Sequence, residues 1–380
     1  MLNKNIPLFK VFMSKTIDKP LLEVLHSGYI GEGPKVQEFE AMLSSYFENN
    51  KLITLNSGTS GLHLAYQMAV NPNEPKGYYN NNKNEIITTA ITCTATNTPI
   101  LSTGNKIVWA DVDPITGNID PKDIESKITK NTKAISMVHW GGNPCLIDEI
   151  NKIAHKYGIK TIEDGAHSMG MEYKGKKIGN NSDYTMISLQ AIKHITSVDG
   201  GILMMKSQKD YERAKLLKWY GIDRTVREGI DLRCELDVIE AGYKFHMNDV
   251  CATIGMENLK HVDEILKSHR DNAKFYNQAF KDNENIIVSP ENPDGKSSYW
   301  LYTLHVNNRD HVMQKLKEDG IMSSKVHARN DMHSMFKEFK TDLPNACKFN
   351  ETHLCIPVGW WVTKEDREYI AEKVIKYAKR

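Results

Sequence analysis

Three short segments of this chain hold side chains whose types and spacing suit one kind of chemistry. The run Asn56-Ser57-Gly58-Thr59-Ser60-Gly61 stands between an apolar stretch, KLITL (51–55), and a helical pattern through Leu62, Ala65 and Ala69. At such a strand-to-helix turn, free backbone N–H groups and the positive end of the helix dipole bind phosphate, and the hydroxyls of Thr59 and Ser60 add donors. No Gly-Lys-Ser/Thr follows, so the turn is not a P-loop; taken alone it reads equally well as a capped helix start. The second segment, Glu163-Asp164-Gly165-Ala166-His167, directly follows the apolar IKTI. A carboxylate at the carboxyl end of a strand can keep a pyridinium nitrogen protonated and make that ring an electron sink. His167 is then placed for the ring's phenolic oxygen, while an isolated Asp164 could simply cap the next element. The third segment is SLQAIKHITSVDGG (188–201), in which Lys193 lies in an apolar stretch ahead of a Gly-Gly turn. Most lysines are surface residues, but one in such surroundings is disposed to the lowered pKa that a Schiff-base amine needs. Ser188 can supply a further phosphate donor.

The elements that must position these segments are legible from about residue 50 to 206. Strand-like runs read KLITL, EIITTA (85–90), KIVWADV (106–112), KAISMVHW (133–140), IKTIED (159–164), YTMISL (184–189) and GGILMMK (200–206), and LIDEINKIAHKYG supplies a helix between two of them. Alternation of this kind predicts an α/β fold with a mostly parallel sheet covered by helices, and ligands bind such sheets beyond the carboxyl ends of the strands. After residue 206 the pattern changes. A long amphipathic stretch from about Asn248 to Phe280 is followed by a strand in YWLYTLHV (299–306), a helix over DHVMQKLKEDG, a strand at MSSKVH and a final helix from Lys364. This predicts a large domain over residues 1–250, N-terminal arm included, and a smaller α+β domain over 251–380.

Composition narrows the function. Among 380 residues, 49 Lys and Arg face 48 Asp and Glu, for a net charge of +1. That balance provides no field to favour nucleic acid or an anionic membrane. No apolar run approaches the ~20 residues that span a bilayer, and MLNKNIPLFK lacks the apolar core of a secretory signal. The six cysteines are scattered without a CxxC pair, which argues against a disulfide framework or a metal site and for reduced thiols in the cytoplasm. The Asn-rich stretch 71–85 reads as a surface loop.

Read in order, the segments resemble the DegT/DnrJ/EryC1/StrS group of pyridoxal-phosphate-dependent sugar-nucleotide aminotransferases, of fold type I. SGYIGEGPKVQEFE, LNSGTSGLHLA, WADVDPITGNID, VHWGGNP, IEDGAHSMG, SLQAIKHITSVDGG, GYKFHMNDVCATIGMENL and LCIPVGWWVTKED follow that group's blocks over nearly the whole chain. The resemblance implies that Lys193 carries pyridoxal 5'-phosphate as a Schiff base and that Asp164 pairs with the pyridine nitrogen. It also implies that Gly58, Thr59, Ser60 and Ser188 hold the phosphate, that His167 lies near the ring oxygen, and that the active form is a homodimer with shared sites. Three positions depart from the pattern. Cys93 stands where relatives stack an aromatic residue on the ring. Lys244 replaces an Asn that reaches into the neighbouring subunit's site, and Tyr220-Gly221 replaces His-Gly.

The expected activity is transfer of an amino group from L-glutamate to a nucleotide-linked keto sugar, through pyridoxal and pyridoxamine phosphate. A 4-keto-6-deoxyhexose would give a 4-amino-4,6-dideoxy sugar nucleotide. Arg224, His327 and Arg329 are the candidates for substrate, since guanidinium groups suit bidentate contacts to a diphosphate or a carboxylate. One rival is a sugar-nucleotide 3-dehydratase of the same group, in which His replaces the lysine; here Lys193 aligns and His194 follows. A non-catalytic regulator of the same fold would need a DNA-binding appendage for which this chain has no basic arm.

Overall fold

The computed structural model describes residues 5–71, 83–224 and 237–379. All seven expected strands form within a residue or two of the expected bounds: β1 (Leu52–Leu55), β2 (Glu85–Thr89), β3 (Lys106–Ala110), β4 (Thr132–Val138), β5 (Lys160–Asp164), β6 (Tyr184–Ser188) and β7 (Gly201–Met205). They make one sheet in the order β1-β7-β6-β5-β4-β2-β3. Neighbours from β3 through β6 pair in parallel, whereas β7 runs antiparallel to both β1 and β6. Residues of β1, β6 and β7 are buried without alternation, as expected of strands covered on both faces.

Local chemistry explains the helix ends that matter for the site. Ser57 caps the helix Gly58–Val70 by accepting from the Ser60 N–H through its side chain. The helix Ile147–Tyr157 carries Asp148 and Glu149 in its first turn and His155 and Lys156 in its last, matching the macrodipole. It ends at Gly158 in the left-handed region, φ 65°.

The expected continuous helix from Asn248 to Phe280 is instead two helices, Asp249–Leu259 and Val262–Phe280. The break coincides with the docking of the N-terminal arm. Ser14 N–H donates to Asn258 Oδ1 at 2.8 Å, Thr16 Oγ1–H donates to Glu257 Oε2 at 2.8 Å, and the Ser14 hydroxyl meets His261 Nε2 at 3.2 Å. The expected strand at MSSKVH is likewise reduced to one isolated bridge, Ser324 with Cys355, with a second, Ile321 with Ile6, just before it. Val326, at φ 65°, turns the chain out of the extended conformation. Of the Asn-rich stretch, residues 72–82 lie outside the described residues.

Ala252, Met256 and Leu259 share a core with Phe39, Leu43 and Ile202. Position 250 therefore lies inside a helix that packs on the large sheet. The chain passes to the next core along Val262–Phe280, whose Val262 and Leu266 lie in the first core and whose Ala273, Tyr276 and Phe280 lie in the second. That second core also contains Tyr302, Leu304, Leu354 and Ile356 of a three-stranded antiparallel sheet. The C-terminal part also reaches the main core through Trp300, Leu301 and Phe349, and this brings its loops to the carboxyl ends of the large sheet.

Candidate active site

A cavity of about 350 Å³ opens beyond the carboxyl ends of the central strands. Its walls gather the three segments. Ser57, Gly58 and Thr59 come from the β1 turn, Asp164 and His167 from the end of β5, and Ser188 and Lys193 from the segment after β6. Cys93 and Thr96 from the start of the helix Thr94–Ser102, together with Trp300 and His327, complete the parts discussed below.

Glycine is required where backbones cross. A Cβ on Gly201 would lie 2.5 Å from the Ser57 carbonyl oxygen and 2.6 Å from the Gly58 nitrogen. Only a residue without a side chain in β7 lets the phosphate-type turn lie against the sheet.

Asp164, the last residue of β5, is buried. Thr96 Oγ1–H donates to its Oδ2 at 2.7 Å and the Ala166 N–H donates to its Oδ1 at 3.0 Å. Burial still pushes its carboxyl up, against the pull of these two bonds and of the Lys193 charge. A cationic partner in the cavity would relieve that cost. Burial pushes the Lys193 amine down to about 8, opposed by Asp164 and Cys93. Its Nζ sits 3.7 Å from the centroid of the Trp300 ring.

His167 accepts at Nδ1 from the Gly141 N–H at 3.3 Å. Its ring is therefore neutral with the proton on Nε2, a tautomer assigned from that donor. Burial holds its pKa well below the ordinary value, and Lys193 and His327 reinforce the effect. His327 Nε2 is buried without a partner, and burial lowers its pKa to about 4, so it too is neutral near pH 7. His194 does not line the cavity; it is buried, with Nε2–H donating to the Ser298 carbonyl at 2.9 Å. The amine that faces the site is thus that of Lys193.

Four other candidates lie apart from this wall. Ser60 donates its hydroxyl to Asn56 Oδ1 at 2.7 Å within the turn. Arg224 is engaged by Glu32 at 2.7 Å and lies over Trp219, and Arg329 is held by Asp331 at 2.7 Å. Lys244 is exposed, with Nζ 5.5 Å from the Trp219 ring. Sequence reasoning missed Thr96 and Trp300. Each lies far along the chain from the residue it serves, and no local pattern marks either.

The donor set fits pyridoxal phosphate: N–H groups and hydroxyls at one end, a buried carboxylate at the other, and an amine of lowered basicity on the wall. Fold and site together define a fold type I pyridoxal-phosphate enzyme. The match over residues 12–375 to the DegT/DnrJ/EryC1/StrS aminotransferase family makes the assignment specific: the chain belongs to that family. It is 31% identical over 363 residues to a UDP-4-amino-4,6-dideoxy-N-acetyl-beta-L-altrosamine transaminase of Campylobacter jejuni, covering 93% of this chain and 92% of the relative. The sugar aminotransferase CalS13 from Micromonospora echinospora superimposes with a TM-score of 0.92 at 35% identity, over 98% of this chain and 99% of that one. A sugar aminotransferase described as putative, Spr1654 from Streptococcus pneumoniae in its PLP form, gives a TM-score of 0.88 at 26% identity over 99% of both chains. The protein is accordingly a pyridoxal-phosphate-dependent sugar aminotransferase. Among the described residues, no helix is long and apolar enough to cross a membrane.

Proposed function

We propose that this enzyme moves the amino group of L-glutamate to C4 of a nucleotide-linked 4-keto-6-deoxyhexose, giving a 4-amino-4,6-dideoxy sugar nucleotide. The observation that carries the reading is a single cavity joining a phosphate-type turn, the buried Asp164 carboxylate and the Lys193 amine. The similarity to the Campylobacter jejuni UDP-4-amino-4,6-dideoxy-N-acetyl-beta-L-altrosamine transaminase supports a nucleotide-linked 4-amino sugar.

When bound, the cofactor supplies an electron sink for the pair left as a C–H bond breaks. The N–H groups of Gly58 and Thr59, with the Ser188 hydroxyl, bind its phosphate. Asp164 keeps the proton on the pyridine nitrogen by charge. His167 orients the ring by donating Nε2–H to the phenolic oxygen. Lys193 Nζ, which sheds a proton close to neutral pH, takes the proton from the α-carbon of glutamate and later returns one to the sugar carbon. His327 offers an unpaired imidazole to a sugar oxygen, and Arg329 or Arg224 binds the diphosphate or the glutamate carboxylate. The working unit is a cytoplasmic homodimer in which Lys244 serves the neighbour's phosphate.

The test is incubation of the purified enzyme with glutamate and a panel of UDP-, dTDP- and GDP-linked keto sugars, with products identified by mass spectrometry and NMR. A 4-amino product with stoichiometric 2-oxoglutarate is expected. Amination at C3, or transfer only from another donor, would overturn the reading.

A further inference from the structure

The segment 297–300 belongs to the C-terminal part of the chain, yet it is tied to both segments that carry the chemistry. Trp300 Nε1–H donates to the Ile192 carbonyl at 2.9 Å, immediately before Lys193. Immediately after Lys193, His194 donates to the Ser298 carbonyl at 2.9 Å. Ser298 Oγ–H donates to the carbonyl of His167 at 2.7 Å. The chain on each side of Lys193, through the Ile192 carbonyl before it and the His194 side chain after it, is therefore fixed to one short stretch of distant sequence. Trp300 is itself 4% exposed. Its ring stacks on that of His167, with centroids 4.0 Å apart and planes at 17°, and Lys193 Nζ lies 3.7 Å from a ring centroid. A desolvated ammonium at that distance from an indole face is attracted by the ring quadrupole.

We propose that Trp300 is a positioning residue for Lys193: its ring seats the lysine ammonium whenever the amine is not joined to the cofactor, and its N–H fixes the backbone from which that side chain springs. The proposal rests on the reading of Lys193 as the cofactor lysine. During each half-reaction the freed amine has to wait beside the reacting carbon while holding a proton. Without a seat, it would pair with Asp164 or swing away. The indole face holds the charge without forming a salt bridge that would have to be broken before the proton can move.

The test titrates Lys193 in cofactor-free protein, by the pH dependence of its acetylation read by peptide mass spectrometry. Charged and titratable groups facing this amine are Asp164 from β5, Cys93 from the start of its helix, and His167, His194 and His327 from the flanking loops. Trp300 is replaced by tryptophans of increasing fluorination, which keep shape and N–H while draining the ring face. The midpoint is expected to fall stepwise, by about one pH unit for the most fluorinated ring. A midpoint that stays put or rises across the series would overturn the seat. In a second arm, Trp300→Phe keeps a ring face and Trp300→Leu does not, so Trp300→Phe should stay nearer the wild-type midpoint. The reverse order would also overturn the proposal. With cofactor loaded, Trp300→Leu should lower kcat with little change in glutamate KM, whereas equal changes in both would mark Trp300 as ordinary packing. Borohydride labelling of Lys193 is independent of all these results, so failure of the seat is distinguishable from failure of the lysine assignment.

Discussion

Replacing Asp164 by Asn separates charge from shape at the centre of the site. The amide is isosteric and can keep both neighbours. Its oxygen would accept from the Ala166 N–H, now at 3.0 Å from Oδ1, and its NH₂ would donate to Thr96 Oγ1, now at 2.7 Å from Oδ2. Thr96 can reverse its role, because its hydroxyl also meets Thr92 Oγ1 at 2.7 Å and can donate there. No buried polar group is orphaned, so the stability change should stay within about 1 kcal/mol. Charge is lost at two places. In cofactor-free protein, the anion that raises the Lys193 pKa disappears, and its midpoint should fall below about 8. A fall of one unit would raise the neutral fraction of the amine at pH 7 and speed its acylation several-fold. In loaded enzyme, a charge-assisted bond worth about 1.5–3 kcal/mol is exchanged for a neutral one worth about 0.5–1.5 kcal/mol, so turnover should fall about five- to tenfold with cofactor still bound. Thermal melting, the acetylation profile and stopped-flow turnover measure the three terms. Near-normal turnover, or an unmoved Lys193 midpoint in a folded protein, would refute this reasoning and leave Asp164 a structural residue.

Other substitutions probe the frame around this centre. Gly201→Ala brings a Cβ against backbone of Ser57 and Gly58 that cannot yield cheaply; a loss of about 1–3 kcal/mol in melting and weaker retention of the cofactor are expected. Arg329→Ala leaves the buried carboxylate of Asp331 unpaired, which should cost about 3–5 kcal/mol. The double change Arg329→Ala with Asp331→Asn should restore the fold, and stopped-flow then asks which half-reaction weakens. A slower sugar half-reaction with an unchanged glutamate half-reaction assigns Arg329 to the diphosphate, and no change in either retires it. Mixing inactive Lys193→Ala chains with inactive Lys244→Ala chains should restore activity in heterodimers if Lys244 serves the neighbouring site; heterodimers without activity would place it elsewhere.

How far the site was legible depended on the distance over which each signal acts. The seven strands announce themselves because buried strands are locally apolar. Ser57–Thr59, Asp164 and Lys193 follow or close the carboxyl ends of β1, β5 and β6, so their convergence on one cavity follows from the topology. Contacts made by distant chain were not legible. Thr96 reaches Asp164 across 68 residues, and the Trp300 N–H reaches the Ile192 carbonyl across 108. The apolar period over 248–280 runs through the break between the two helices, which coincides with the docked arm at Ser14 and Thr16. The strand expected at MSSKVH is not formed because Val326 takes a left-handed conformation, which no local pattern marks.

Sodium borohydride reduction of the purified, cofactor-loaded enzyme, followed by proteolysis and peptide mapping, bears most directly on the claim that Lys193 is the catalytic amine. A phosphopyridoxyl label confined to Lys193, and lost when the enzyme is first converted by glutamate to its amino form, is the expected result. A label on any other lysine, or cofactor that stays bound yet cannot be fixed by reduction, would contradict it.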